Sequence, residues 1–210
     1  MLTDVQGSTK LWETRPQAMG YALAAHDRVI SEAVAAHGGR LLKNKGEGDS
    51  TFAVFTKASG ATAAALACQR ALASEPWPDG IELRVRIAIH TGEAELRDND
   101  YFGPTVNRTA RLRATAHGGQ FVMSQATADL VRDRLPEGAA LNDLGIHRLP
   151  DLGRPEVVFG LAHPDLPSTF PPLRSMDAFP GNLPVQLTSF VGRDREMKLL
   201  AEGFRPGSSP

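Results

Sequence analysis

Apolar and polar residues alternate from Ile81 to Ile89: Ile81, Leu83, Val85, Ile87 and Ile89 against Glu82, Arg84, Arg86 and Ala88. Period two predicts a strand with one apolar face. From Gln17 to His37 the period lengthens: Leu23, His26, Ile30 and Val34 recur at spacings of three and four, and Gly38-Gly39 follows. That predicts an amphipathic helix with a glycine stop and with His26 in its apolar stripe. A histidine so placed is expected to be packed or capped, not a ligand. Ala58 to Ala73 predicts a second helix, with Ala61, Ala65, Cys68 and Leu72 on one face. Leu41 to Phe55 reads as strand, turn, strand, with Gly46 and Gly48 in the turn.

Shorter signals complete the pattern. Met1 to Val5 reads as a strand ending, and Gly7-Ser8-Thr9 opens a helical stretch through Leu11 and Trp12. Leu96 to Tyr101 reads as a polar turn. Gly103-Pro104 leads into a helix from Thr105 to Ala116. Gln120–Ser124 is a short strand, and Gln125–Arg134 a helix capped by Ser124. Leu141–Leu149 and Glu156–Leu161 are two further strands. Strand, helix, hairpin, helix, strand, then a helix and more strands is a ferredoxin-like α/β order. It implies a mainly antiparallel sheet with helices packed on one face.

Composition narrows the classes. The chain has 210 residues, 41% hydrophobic and 22% charged, as in a soluble globular protein. A net charge of −1 without a basic block argues against nucleic acid as a partner. Cys68 is the single cysteine, so no disulfide forms within the chain, and a reducing, cytoplasmic setting is expected. No apolar run is long enough to span a bilayer, and the N-terminus lacks a signal-peptide pattern. Residues 1–162 read as the folded domain, with its first strand apparently truncated. Residues 163–184 carry six prolines and read as a linker. Residues 185–210 read as the beginning of a further, incomplete module.

Several residues carry chemistry. Asp49 sits where the hairpin re-enters the sheet, with Lys45 four positions earlier. A carboxylate at a strand end suits a hard cation, and a lysine beside it donates hydrogen bonds. A charged hairpin tip has the same appearance. The turn at Gly7, Ser8 and Thr9 either presents backbone N–H groups to a phosphate or simply caps a helix. Asn107 and Arg111 lie four apart on one helix. They form either an exposed polar stripe or a clamp for ribose and phosphate. In a ferredoxin-like sheet the first strand and the hairpin lie side by side, so Asp4 and Asp49 end close together. Two carboxylates plus a triphosphate commonly hold Mg²⁺ or Mn²⁺.

The segments LTDVQGST, KNKGEGDS, IAIHTGE and DYFGPTVNRTARL, in this order and spacing, resemble the catalytic domain of bacterial class III adenylate/guanylate cyclases. The resemblance runs from Leu2 to about Leu161. It implies that Asp4 and Asp49, with the Val5 carbonyl, bind two ions, Mg²⁺ or Mn²⁺. It implies that Lys45 and Asp100 read adenine, so that ATP is preferred over GTP. It implies that Asn107 orients the ribose and Arg111 stabilises charge on the transferring phosphoryl group. In this family the site forms between two subunits, so a homodimer is expected: Asp4 and Asp49 come from one protomer, Lys45, Asp100, Asn107 and Arg111 from the other. The sequence departs from the pattern at the short first strand and at Gln6, where many relatives carry glutamate. Arg97 is the candidate for a second phosphate-binding arginine.

NLPVQLTSFVGRDREMKLL in the tail resembles the opening of a P-loop ATPase module in bacterial regulators, although no GxxxxGK[ST] is present. The function expected is adenylate cyclase activity in intracellular signalling. The alternative is a catalytically silent cyclase-homology domain that dimerises or senses nucleotide for a larger regulator. A GGDEF-type diguanylate cyclase fits less well, because no second acidic residue follows Asp49.

Overall fold

The structure is a computed structural model that describes residues 1–42, 48–78 and 80–176. Lys45, residues 177–184 of the proline-rich stretch and the expected ATPase-like module lie outside the described residues.

The elements follow in chain order. They are β1 (Leu2–Val5), α1 (Ser8–Thr14), α2 (Pro16–Ala36), β2 (Gly39–Leu42), β3 (Thr51–Phe55), α3 (Ala58–Ser74) and β4 (Val85–Ile89). After these come β5 (Glu95–Arg97), β6 (Asp100–Phe102), α4 (Pro104–Thr115), β7 (Phe121–Ser124), α5 (Gln125–Val131), β8 (Ala140–His147) and β9 (Glu156–Ala162). Seven strands form one sheet in the order β2-β3-β1-β4-β7-β9-β8, and β5 and β6 form a separate ribbon. Every neighbouring pair in the sheet is antiparallel except β4 and β7. No helix among the described residues is long and apolar enough to cross a membrane.

The first strand is short but central. It pairs with β3 through Leu2↔Phe52 and Thr3↔Thr51, and with β4 from Leu2↔Ala88 to Val5↔Val85. All four of its residues are buried.

Helices cover both faces of the sheet, not one. Val5, Val85, Ile87 and Ile89 pack with Met19, Ile30 and Val34 of α2 and Ala65, Cys68 and Leu72 of α3. Alternation sends the intervening residues the other way. There Ala88 and Val122 join Leu112 and Ala116, the inward side of α4 and its end. Asp4 and Arg86 are register partners in the same alternation as Leu2 and Ala88, so they share the α4 face.

Two local expectations change. The strand expected from Ile81 begins only at Val85. Ile81 and Leu83 are buried, yet β1 ends at Val5 and leaves residues 81–84 without a ladder partner beyond Gln6, whose N–H donates to the Arg84 carbonyl at 2.9 Å. The polar turn at 96–101 is a β-hairpin, β5 to β6, with Asp98 (φ 50°) and Asn99 (φ 61°) at its tip. Both central residues have positive φ, the pattern of the two-residue turn that matches strand twist. Asp100 therefore sits on a strand.

Residues 163–176 lie against the domain. Leu173 joins the α4-side core, Arg174 N–H donates to the Thr115 carbonyl at 2.9 Å, and His117 Nε2 is 3.0 Å from the Pro172 carbonyl. His26 is fully buried on α2, with Nδ1 2.9 Å from Asp27 Oδ1 and no hydrogen-bond partner for Nε2 among the described residues.

Candidate functional site

Asp4 is the best-defined polar group of the site. Arg86, its cross-strand partner, donates from Nε to Oδ1 at 2.7 Å and from Nη2 to Oδ2 at 2.5 Å. A second guanidinium approaches from α4: Arg113 Nε is 3.5 Å from Asp4 Oδ2. Arg113 Nη1 also donates to the Thr3 carbonyl at 3.0 Å and to Ser50 Oγ at 3.3 Å. These side chains are little exposed: 11% for Asp4, 19% for Arg86 and 15% for Arg113. A two-pronged pair in such a place is strong and geometrically specific. Neither arginine stands out in the sequence. Arg86 was legible only as one of three charges on the polar side of a strand. Arg113 stands two residues after Arg111, which on a helix turns it to another face.

Asp49 is half-buried and lies one residue before the buried Ser50, just ahead of β3. The β1–β3 ladder ends at Thr3↔Thr51, next to Asp4 on one strand and Ser50 on the other. Arg113, reaching both Thr3 and Ser50, spans that junction. Two carboxylates and a backbone carbonyl are an all-oxygen donor set, the chemistry that Mg²⁺ and Mn²⁺ take. No group of three or more His, Cys, Asp or Glu side chains suited to a metal occurs among the described residues. A cation here would thus depend on carbonyl, water or substrate oxygens to fill its shell. The residues fit such an ion chemically, with one condition: Asp4 is already engaged by Arg86.

The turn after β1 holds Gly7 at φ 75° as the N-cap of α1. A left-handed conformation there favours glycine. No side chain caps this helix, so Ser8 and Thr9 do not serve the capping role open to them. Gln6 is tied down: its Oε1 accepts from Gly118 N–H at 2.6 Å.

On α4 the outward face carries Asn107 and Arg111, both exposed, while Thr109, Leu112 and Thr115 face inward. Arg111 Nη2 lies 2.6 Å from Asp151 Oδ2 in an exposed pair. Arg108 pairs instead with the buried Glu156. Asp100, on β6, accepts from Tyr101 N–H at 2.9 Å. Its hairpin is tied to β2, because Arg40 Nη1 donates to Asn99 Oδ1 at 2.7 Å and its guanidinium lies 5.8 Å from the Tyr101 ring centre. Arg97 is exposed on β5, 4.6 Å from the Phe102 ring centre.

A cavity of about 420 Å³ opens at the far end of β4, lined by Arg40, Phe55, His90, Tyr101 and Thr105 among others. Neither Asp4 nor Asp49 lines it, and neither do Asn107 and Arg111. His90 Nδ1 is 2.7 Å from Ser124 Oγ. Burial holds its pKa below the ordinary 6.5, with the Glu156 carboxylate working against that shift. Cys68 is buried in the α2–α3 core, and burial pushes its thiol up to about 12, which removes it as a nucleophile.

A profile of the family described as "Adenylate and Guanylate cyclase catalytic domain" matches residues 1–158. An uncharacterized protein of Mycobacterium tuberculosis is 51% identical over 194 residues, 92% of this chain. The chain spans 66% of that relative's length. An adenylate cyclase of Neurospora crassa is 29% identical over 217 residues, covering 77% of this chain and 9% of the fungal protein. Among solved structures, a Trypanosoma brucei adenylate cyclase in its monomeric state superposes with a TM-score of 0.71 at 24% identity, covering 83% of this chain and 93% of the other. That last likeness concerns the fold.

Proposed function

The chain belongs to the adenylate and guanylate cyclase catalytic domain family, and on that premise we propose that it converts ATP to 3′,5′-cyclic AMP and pyrophosphate. One observation carries this reading. The β1–β3 pairing gathers Asp4, Val5 and the Asp49 turn at one end of the sheet, while α4 turns Asn107 and Arg111 outward. This division supports a nucleotide site shared between two protomers, with Asp4, Val5 and Asp49 supplied by one and Lys45, Asp100, Asn107 and Arg111 by the other. A homodimer joins the two halves, and each dimer holds two sites.

The ribose 3′-hydroxyl gives up its proton to solvent as its oxygen attacks the α-phosphorus; a new P–O bond forms as the bond to the β-phosphate oxygen breaks and pyrophosphate leaves. Two divalent ions held by Asp4, the Val5 carbonyl and Asp49 supply, when bound, charge neutralisation on the triphosphate and a more acidic 3′-hydroxyl. Backbone N–H groups at Gly7, Ser8 and Thr9 line the phosphates. From the other protomer, Lys45 donates to an adenine ring nitrogen and Asp100 accepts from the exocyclic amine. Guanine presents a carbonyl and a ring N–H there, so this pair favours ATP. Asn107 orients the ribose, and Arg111 stabilises charge gathering on the α-phosphoryl oxygens.

The second reading is a silent regulatory homologue. It is favoured by one feature: both Asp4 and Arg111 already have ion-pair partners, Arg86 and Asp151. Cyclic-nucleotide production with Mn²⁺, assayed with ATP and GTP separately and alongside Asp49→Ala, decides between them. Cyclic AMP that disappears in the variant supports the enzyme. Nucleotide binding without product supports the silent domain.

A further inference from the structure

α4 is finished at its C-terminal end by residues from much further along the chain. A helix leaves its last carbonyls without intrahelical donors. In α4 the Leu112 carbonyl accepts from Thr115 Oγ1 at 2.7 Å, and the Arg113 carbonyl from Ala116 N–H at 3.1 Å. The Thr115 carbonyl accepts from Arg174 N–H at 2.9 Å, so this cap comes from a segment beyond β9.

That segment, residues 172–176, lies outside residues 1–158, the part that matches the family. It grips two elements at once. Toward α4, Leu173 joins Leu112 and Ala116 in the core, and His117 Nε2 is 3.0 Å from the Pro172 carbonyl. Toward the end of β8 and the loop after it, Leu173 shares that core with Leu149, Met176 N–H donates to the Arg148 carbonyl at 3.2 Å, and His147 Nδ1 is 2.9 Å from Ser175 Oγ. Leu173 is 4% exposed and Ser175 2%, the burial of a core and not of a linker. Pro171 and Pro172 restrict the backbone just before Leu173, which lowers the entropy lost on docking.

The two gripped elements are those that carry Arg111 and its ion-pair partner. Arg111 immediately precedes Leu112 on α4, and Asp151 stands in the loop between β8 and β9. Their exposed pair is too weak to fix the helix. The buried contacts of Leu173 and Ser175 are of the kind that can.

We propose that residues 172–176 are a positioning clamp for Arg111: they hold the last turn of α4 against the β8–β9 loop and so set where Arg111 stands. The catalytic consequence rests on the reading of Arg111 given above. A pull on the chain beyond residue 176 is thereby transmitted to α4.

Hydrogen exchange of the whole chain, read by mass spectrometry, tests the grip, and turnover tests its consequence. In Leu173→Ala, peptides covering 109–116 and 147–152 should exchange about tenfold faster or more, while those of α3 stay unchanged. Leu173→Met, of similar volume, should keep the unaltered protection. Turnover should fall about tenfold in Leu173→Ala with KM within about twofold, because Arg111 acts on the transition state. In the Arg111→Ala background the same substitution should cost almost nothing further, a coupling that general destabilisation does not produce. If exchange speeds up everywhere in Leu173→Ala, Ser175→Ala is the second probe: it cuts only the His147 contact and should raise exchange in the same two peptides by about threefold. Unchanged exchange in those peptides overturns the clamp. Faster exchange with independent, additive losses of turnover shows that the segment holds the helix without positioning Arg111, and the proposal is wrong. If Arg111→Ala alone leaves turnover unchanged, the reading of Arg111 falls first and the catalytic consequence falls with it, whatever the exchange shows.

Discussion

Two carboxylate–guanidinium pairs lie close to the proposed chemistry, and they are built differently. Asp4–Arg86 joins neighbouring strands, two-pronged, with side chains 11% and 19% exposed. Arg111–Asp151 joins the outward face of α4 to a loop, with side chains 47% and 73% exposed. The first pair is part of the sheet: its geometry follows from the β1–β4 register, and solvent screens it little. The second is a surface pair in high dielectric, the kind worth roughly 0–1 kcal/mol. A cationic group meant to meet substrate from a second subunit is better parked in the second way, since little is lost when it leaves. A carboxylate that must stay in place through a binding cycle is better held in the first.

The sharpest way to break this contrast is Arg111→Ala. If Arg111 acts on the phosphoryl group, cyclic-nucleotide production should fall about 10²-fold or more, with stability almost unchanged. Equal mixing with Asp49→Ala should then restore about a quarter of the unaltered rate, because half the dimers regain one intact site. No recovery in the mixture would place both residues in the same half of the site and remove the two-protomer arrangement. The converse variant is Asp4→Asn. It leaves Arg86 and Arg113 short of their shared anion and should cost about 3 kcal/mol in urea unfolding. A loss under about 1 kcal/mol would show that the pair is no tighter than a surface one.

A third pair, Arg108–Glu156, joins an arginine 29% exposed to a carboxylate only 9% exposed, and both charges act on His90. His90 titrates below 6.5 in the folded chain, so the unfolded chain binds its proton more readily. Its contribution to stability should be intact above about pH 6.5 and should diminish as the pH falls toward the folded pKa. His90→Gln should flatten that part of the urea-midpoint profile. A profile steeper in the variant would have the wrong sign. Smallest of all should be Asp151→Ala. It should change stability by less than about 0.5 kcal/mol and leave turnover within about twofold. A tenfold loss of rate would make Asp151 part of the site.

Much of the fold was legible from periodicity. α2, α3, β3, α4, β7, β8 and β9 fall within a few residues of their expected ranges; the apolar stripes of α2 and α3 and the Gly103-Pro104 start of α4 are local signals. The Ser124 cap is also as expected, accepting from Thr127 N–H. The misses have particular causes. Ile81 and Leu83 alternate like a strand and are buried like one, yet pairing needs a neighbour, and β1 turns away at Gly7. Leu96 to Tyr101 is short and polar, so the ribbon there rests on the positive φ of Asp98 and Asn99 rather than on an apolar pattern. The second helical face was missed because α4 buries few large side chains, and its arginines mask the stripe.

For the site, the chain alone supplied the kinds of groups: acids at a strand end and a hairpin, and an amide and a guanidinium four apart on a helix. These are local facts of residue type and period. Only the tertiary structure decided which cations meet which acids. Arg86 lies 82 positions from Asp4, and Arg113 reaches it from another element. Three arginines of α4 look interchangeable in sequence, but the helical turn sends Arg108 to Glu156, Arg111 to Asp151 and Arg113 to Asp4. The cause is geometric. Strand register and helix phase convert positions along the chain into neighbours in space, and an ion pair depends on that separation, not on distance along the sequence.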